Sequence, residues 1–339
     1  MESLLCDEVW LSSPTNLISY DRKHGMHPNP DSQIISTMFH TTIEDCQYAL
    51  SISLEKELSY IPKPGYSEFL RSSSNMKVAR YKAIQWLIKL QSRLNLSCGI
   101  IFDAANYFDR FVSMNQGREW KEWIIELLSI ACFYVASKFS ETDIPTLHEI
   151  QMEGMDYSFE SATIQQMELI LLQELGWHLR CTTSYSIVEL LIWNLDSVKP
   201  QFQYSLRTRI FQLLLGALSD VRFVDFRPCT IAISALKCTL EELVASSANE
   251  HLMRILGLIP EDQKEDVAKC HKIMEAQSMD PIICKDLIAS GHSFWGPSSP
   301  VTVLTAERID IYDCHVDLSA FRKSDHVNVL SGEKRKRED

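Results

Sequence analysis

Near the start of the chain, Leu4-Leu5-Cys6-Asp7-Glu8 follows the pattern L-x-C-x-E. In an extended strand alternate side chains point the same way, so Leu4, Cys6 and Glu8 share one face. Two apolar plugs and one carboxylate on a single edge suit binding along a groove, a common mode for short extended segments. At the other end, Lys334-Arg335-Lys336-Arg337 gathers consecutive cations, bracketed by Glu333 and Glu338. Such a cluster reads either as a solvated tail or as a basic import signal. Between these ends, Lys138 closes the apolar run 127–136 and Glu168 sits within another apolar stretch. A charge at the edge of an apolar surface either reaches solvent or meets a partner. Catalytic patterns are missing: there is no Gly-rich phosphate loop, no G-x-S-x-G and no H-E-x-x-H. His178, beside Trp177, reads as part of an interface or a helix end rather than as a general base. The ten cysteines form no C-x-x-C pair and no Cys/His set with zinc spacing, so no metal and no cofactor are expected.

Composition narrows the classes further. A length of 339 residues allows about two domains with tails, and 45% hydrophobic residues can fill sizeable cores. Gly (11) and Pro (12) are scarce, which favours long helices over many-turned β folds. The net charge of −12 argues against sequence-independent nucleic-acid binding, which needs clustered cations. The opening residues lack the basic start and apolar run of a secretory leader. No run of 18 apolar residues occurs, and no membrane association is expected. Unpaired, scattered cysteines fit an intracellular protein.

The elements that must position these residues can be read from periodicity. Residues 1–75 carry turn and linker signals such as Pro28-Asn29-Pro30 and Ser72-Ser73-Ser74, with one short helix expected over 42–60. Helices are expected over 77–94, 100–114 and 121–140, a short one after Pro145, and one over 160–175 with Ser158 as N-cap and Gly176 as stop. The run 127–136 has almost no polar face, so its helix should be enclosed by the other four. A second set of similar length and order follows over 185–195, 207–218, 230–244, 250–256 and 261–277. The expected architecture is all-α: two tandem five-helix domains at 76–181 and 182–280, a flexible arm at 1–75 and a flexible tail at 281–339.

Four segments carry a family resemblance. They are Ala79-Arg80-Tyr-Lys-Ala-Ile-Gln-Trp86, Asn106-Tyr-Phe-Asp-Arg-Phe-Val-Ser113, Val135-Ala-Ser-Lys-Phe-Ser-Glu141 and the run from Gln166 to Leu179. In this order and spacing they resemble the helices of a cyclin box, and the chain is most similar to plant D-type cyclins. The resemblance implies a non-enzymatic regulatory subunit that binds and activates a cyclin-dependent kinase at the G1/S transition. It implies kinase-binding roles for Lys138, Phe139, Glu168, Leu127, Trp177 and Leu179, and an internal structural pair of Arg80 with Asp109. It makes a retinoblastoma-type pocket protein the partner of Leu4, Cys6 and Glu8.

Some readings remain two-sided at this level. Trp86 and Glu126 mark a possible docking patch for substrates or kinase inhibitor proteins, but Ala79, Lys82 and Ala83 replace larger apolar residues common there, and Trp86 reads equally as core. Lys334, Arg335, Lys336 and Arg337 imply a nuclear protein with a cytoplasmic share. Ser13-Pro14 and Ser299-Pro300 fit proline-directed phosphorylation. A cyclin-fold transcription adaptor is the alternative function, disfavoured by the acidic charge and the L-x-C-x-E segment.

Overall fold

The computed structural model describes residues 43–141, 143–151, 154–193, 200–243, 263–278, 309–311, 318 and 321. Leu4, Cys6, Glu8, Ser13, Ser299 and the 334–337 cluster lie outside them, as does the expected helix at 250–256. The described elements are α1 (Ile43–Lys56), α2 (Tyr66–Ser72), α3 (Ser74–Leu94), α4 (Gly99–Met114), α5 (Glu122–Ser140), α6 (Leu147–Gln151), β1 (Tyr157–Phe159), α7 (Ser161–Glu174), α8 (Ser184–Trp193), α9 (Pro200–Ser219), α10 (Pro228–Leu243), α11 (Lys264–Ser278) and β2 (Ile309–Ile311). The chain is helical, as its periodicity requires.

In the first domain α5 is the hub. It packs against α3, α4, α6, α7 and β1. Leu127, Leu128, Ile130, Ala131, Cys132 and Phe133 around its circumference have no exposed surface. A helix apolar on every side must be enclosed in this way. By length and composition α5 could cross a membrane, but most of it is buried within the fold. The second domain repeats the plan: α10 packs against α8, α9 and α11, with Ala232, Ala235, Leu236 and Leu240 fully enclosed.

Local chemistry sets the boundaries. Ser73 Oγ accepts from Met76 N and opens α3, while Asn95, at φ 52°, closes it in the left-handed region. Gly176 (φ 61°) ends the chain's turn out of α7, as expected. Ser158 is not the N-cap of that helix. It lies in β1, and Glu160 takes the cap position. The two short strands escaped detection because three residues are too few to show alternation.

The arm and tail differ from expectation. Within 1–75, residues from Ile43 onward fold: Leu50, Tyr66 and Leu70 are buried, and α1 packs on α8. Glu57 is enclosed, and its Oε2 accepts from Cys229 N at 3.0 Å, at the first turn of α10. Burial raises its pKa, against the lowering effects of that hydrogen bond and of Arg227. In the tail, β2 pairs in parallel with β1, and Leu318 and Phe321 are buried.

One buried ion pair joins these parts. Arg80 Nε and Nη2 each donate to Asp109 at 2.8 Å, and Tyr66 Oη donates to the same carboxylate at 2.6 Å. Arg80 Nη1 donates to Leu218 O at 2.9 Å, at the C-terminal turn of α9 in the second domain. Burial opposes the guanidinium charge, but attraction and hydrogen bonding from Asp109 outweigh it and move the Arg80 pKa upward. The expected internal pair is therefore present, and it reaches further than the first two helices of the box. Removing one partner from a buried pair leaves an uncompensated charge and typically costs about 3–5 kcal/mol. Asp109→Ala should lose stability on that scale, read as a lower urea midpoint.

A second buried carboxylate gives a pH dependence. Asp103 of α4 accepts from the Cys181 thiol at 3.1 Å where the chain passes between domains, and burial lifts its pKa to about 6. An unfolded Asp titrates near 4. The folded carboxyl holds its proton more tightly, so its contribution to stability falls as pH rises from about 4 through 6. Asp103→Asn should therefore stabilise the protein at pH 7 by on the order of 1–2 kcal/mol and change it little at pH 4. Thermal melts at the two pH values read this directly.

Candidate functional site

The end of α5 and the length of α7 lie side by side, and this brings Lys138 and Glu168 together. Lys138 Nζ donates to Glu168 Oε1 at 2.5 Å, and the ammonium also sits 4.1 Å from the Tyr134 ring centroid. The Lys138 side chain is 34% exposed and that of Glu168 12%, so the pair meets solvent at one edge. An isolated pair of this kind contributes roughly 0–1 kcal/mol to stability. It is not required to hold the two helices together, because Ile164, Met167 and Leu171 already bury an apolar face there.

Large apolar groups on and just beyond α5 and α7 face outward. Phe139 is 62% exposed and Trp177 63%. Leu169 and Ile144 are also exposed. A buried helix pair that ends in outward aromatic and aliphatic groups beside an ion pair has the composition of a partner-binding face. Sequence reasoning named Lys138, Glu168, Phe139 and Trp177, and the structure pairs the first two and exposes the last two. Leu169, Ile144 and the Tyr134 ring were not named from the sequence. Leu169 follows Glu168 directly, and its outward position could have been inferred from its being out of phase with Ile164, Met167 and Leu171.

Two expected contact residues are corrected. Leu127 has no exposed surface and belongs to the core beneath the face. Leu179 is also buried, and its carbonyl accepts from Tyr107 Oη at 2.6 Å. Its neighbour His178 gives a carbonyl to Arg110 Nη1 at 2.8 Å. These bonds tie down the chain just beyond Trp177, itself at φ 61°. Both residues support the face without lining it.

The expected docking patch is altered as well. Trp86 is only 7% exposed and meets the Phe133 ring edge-on at 5.9 Å, so it is chiefly a core residue. Its outer edge borders a groove of about 1010 Å³ that Val78, Tyr81, Lys89 and Ile125 also line. Glu126 reaches this groove, but its carboxylate accepts from Asp156 N at 3.2 Å and Tyr157 N at 3.1 Å. Burial raises its pKa, and the two backbone bonds pull it back. Glu126 thus holds the entry to β1 in place, and its charge is partly spent on that bond. Among the described residues no group of His, Cys, Asp and Glu could hold a metal.

Comparison with known proteins assigns the fold to a family. The cyclin N-terminal domain model matches residues 49–180 and the cyclin C-terminal domain model matches 191–281. Cyclin-D2-2 of Oryza sativa subsp. japonica is 33% identical over 267 residues, covering 77% of this chain and 71% of the relative. The chain belongs to the plant D-type cyclin family. Cyclin-D1-1 of Arabidopsis thaliana is 27% identical, with 68% of each chain covered. Among solved structures, a viral cyclin from herpesvirus saimiri matches at a TM-score of 0.47 and 14% identity, over 62% of this chain and 96% of that one. This cyclin is a regulatory protein of the cell cycle and not an enzyme. The first family match begins at residue 49 rather than 76, in keeping with the folded α1 and α2.

Proposed function

We propose that this cyclin binds and activates a cyclin-dependent kinase through the face around Lys138 and Glu168, and recruits a retinoblastoma-type pocket protein through Leu4, Cys6 and Glu8 to promote G1/S entry. The observation that supports the kinase reading is the Lys138–Glu168 pair at 2.5 Å, each member followed directly in sequence by an exposed apolar group, Phe139 and Leu169. A partner that covers these groups gains apolar burial of about 25 cal/mol per Å². The ion pair holds the helices only weakly, so it can be turned toward partner charges at small expense in stability. Activation then requires that the face fit the kinase's active arrangement better than its inactive one, since a ligand shifts an equilibrium only by its differential affinity.

The pocket-protein reading rests on the spacing of Leu4, Cys6 and Glu8, far in sequence from the kinase face. The groove beside Trp86 is proposed to take substrates or kinase inhibitor proteins. Nuclear import is assigned to Lys334, Arg335, Lys336 and Arg337, with part of the protein in the cytoplasm.

Lys138→Ala combined with Glu168→Ala should change folding stability by less than about 1 kcal/mol. The same variant should lose about 2–5 kcal/mol of kinase affinity, roughly 30- to several-thousand-fold. Circular dichroism and co-purification with a histone-kinase assay read the two effects. Wild-type activation by the double variant would overturn the kinase reading. In parallel, Cys6→Ala with Glu8→Lys should abolish pocket-protein capture and leave kinase binding intact. Unchanged capture would refute the motif. Deleting residues 333–339 should lower the nuclear fraction of a tagged cyclin, and an unchanged fraction would place import elsewhere.

A further inference from the structure

The two members of the Lys138–Glu168 pair are not held alike. Lys138 lies in the last turn of α5, and a helical side chain leans back over the turn before its own Cα. One turn back stands Tyr134, and the Lys138 ammonium lies 4.1 Å from the centre of its ring. A cation this close to an aromatic face is attracted by the ring's quadrupole. Tyr134 is itself well seated: it is partly buried, packs against the core, and follows the fully enclosed Phe133 in sequence. Glu168 instead comes from α7 and meets Lys138 across the helix pair. Among the described residues, Lys138 is the only hydrogen-bond or ion-pair partner of the Glu168 carboxylate.

This difference decides which member can move. Water and salt screen an ion pair at a solvent edge, so Glu168 can leave it at small expense. Once it leaves, the carboxylate has given up its partner and can accept from a donor on another protein. Lys138 loses the same bond but keeps the ring beneath it. A cation–π contact also strengthens when water is excluded from around it. The Lys138 side chain is 34% exposed, and a partner that covers this edge removes that water. The ring therefore holds the ammonium more firmly in a covered face than in an open one.

We propose that Tyr134 is a positioning residue of the kinase-binding face, its ring fixing the Lys138 ammonium while Glu168 turns to meet the partner. Resting on the kinase reading above, this role divides the labour of the pair. Lys138 is the fixed cation of the face, and Glu168 is its movable anion. Tyr134 acts through Lys138 and needs no contact of its own with the kinase. The attraction comes from the ring face, so the phenol hydroxyl is dispensable and phenylalanine serves as well. An aliphatic side chain of similar size fills the same space over the core and gives the ammonium nothing to rest on.

The test uses the full chain with Tyr134→Phe, Tyr134→Leu or Glu168→Gln. In isotope-labelled wild-type cyclin, the ring current of Tyr134 should move the Lys138 side-chain resonances upfield. That shift should survive in Tyr134→Phe and Glu168→Gln and vanish in Tyr134→Leu. Its loss in Glu168→Gln would mean that the carboxylate alone places Lys138, and would overturn the proposal. Glu168→Gln leaves the core untouched, so this measurement decides even where Tyr134→Leu folds poorly. Kinase co-purification over graded cyclin concentrations reads the second effect. Tyr134→Leu should bind roughly 3- to 30-fold more weakly than wild type, and Tyr134→Phe should bind like wild type. Equal weakening by Phe and Leu would assign the effect to the hydroxyl and sink the role of the ring. The Lys138→Ala, Glu168→Ala variant separates the two ways of failing. If it binds the kinase like wild type, the kinase reading falls and the role of Tyr134 with it. If it loses the kinase while Tyr134→Leu keeps wild-type affinity, only the role of Tyr134 falls.

Discussion

A positive charge at the centre of the molecule governs how its parts meet. Arg80 is enclosed, and a guanidinium in that setting must find an anion and hydrogen-bond acceptors. Asp109 supplies the anion, and Tyr66 donates to the same carboxylate from α2. The remaining donor goes to Leu218 O, one of the carbonyls that a helix C-terminus leaves without a partner in its own helix. A cation placed there also meets the negative end of the α9 dipole. Next to it, Gln85 Nε2 donates to Ser219 Oγ at 3.1 Å. The first domain thereby caps a helix of the second, and a guanidinium already paired within the first domain ties the two together through its remaining donor.

Apolar packing completes that junction. Phe102 of the first domain stacks on Tyr185 at 5.3 Å, and Phe211 meets both rings edge-on at 6.1 Å. Glu57, just after α1, adds a third tie, at the opening turn of α10. The N-terminal helices are thus structural parts of the two-domain body, although the turn-rich sequence around them suggested an arm.

Long-period features were legible in the sequence and short or distant ones were not. The enclosed helix α5 announced itself through its lack of a polar face, and Gly176 through its position after an apolar period. The Arg80–Asp109 pair came from the resemblance, and its extension to Tyr66 and Leu218 depends on tertiary contacts with no local signature. Leu127 and Leu179 show the limit of transferring roles by motif. A side chain can belong to a motif because it supports a surface from below, and linear sequence does not separate that from contact. β2 and Phe321 were invisible for a different reason. Ile-Asp-Ile and a lone Phe in a polar stretch acquire meaning only when the partner strand and the surrounding core are known.

Trp177 is held in an uncommon way. It follows Gly176 with both residues at φ 61°, and a residue with a Cβ adopts that region at a steric penalty. Its amide donates to Leu172 O at 3.0 Å on one side, while the His178 and Leu179 carbonyls are fixed by Arg110 and Tyr107 on the other. The indole therefore projects from a backbone with little freedom left to lose. The fold thus fixes where the indole leaves the surface and leaves the ring itself to rotate. A partner covering the ring would still bear the cost of ordering it, about 0.5–1.5 kcal/mol, but would find its point of attachment already set.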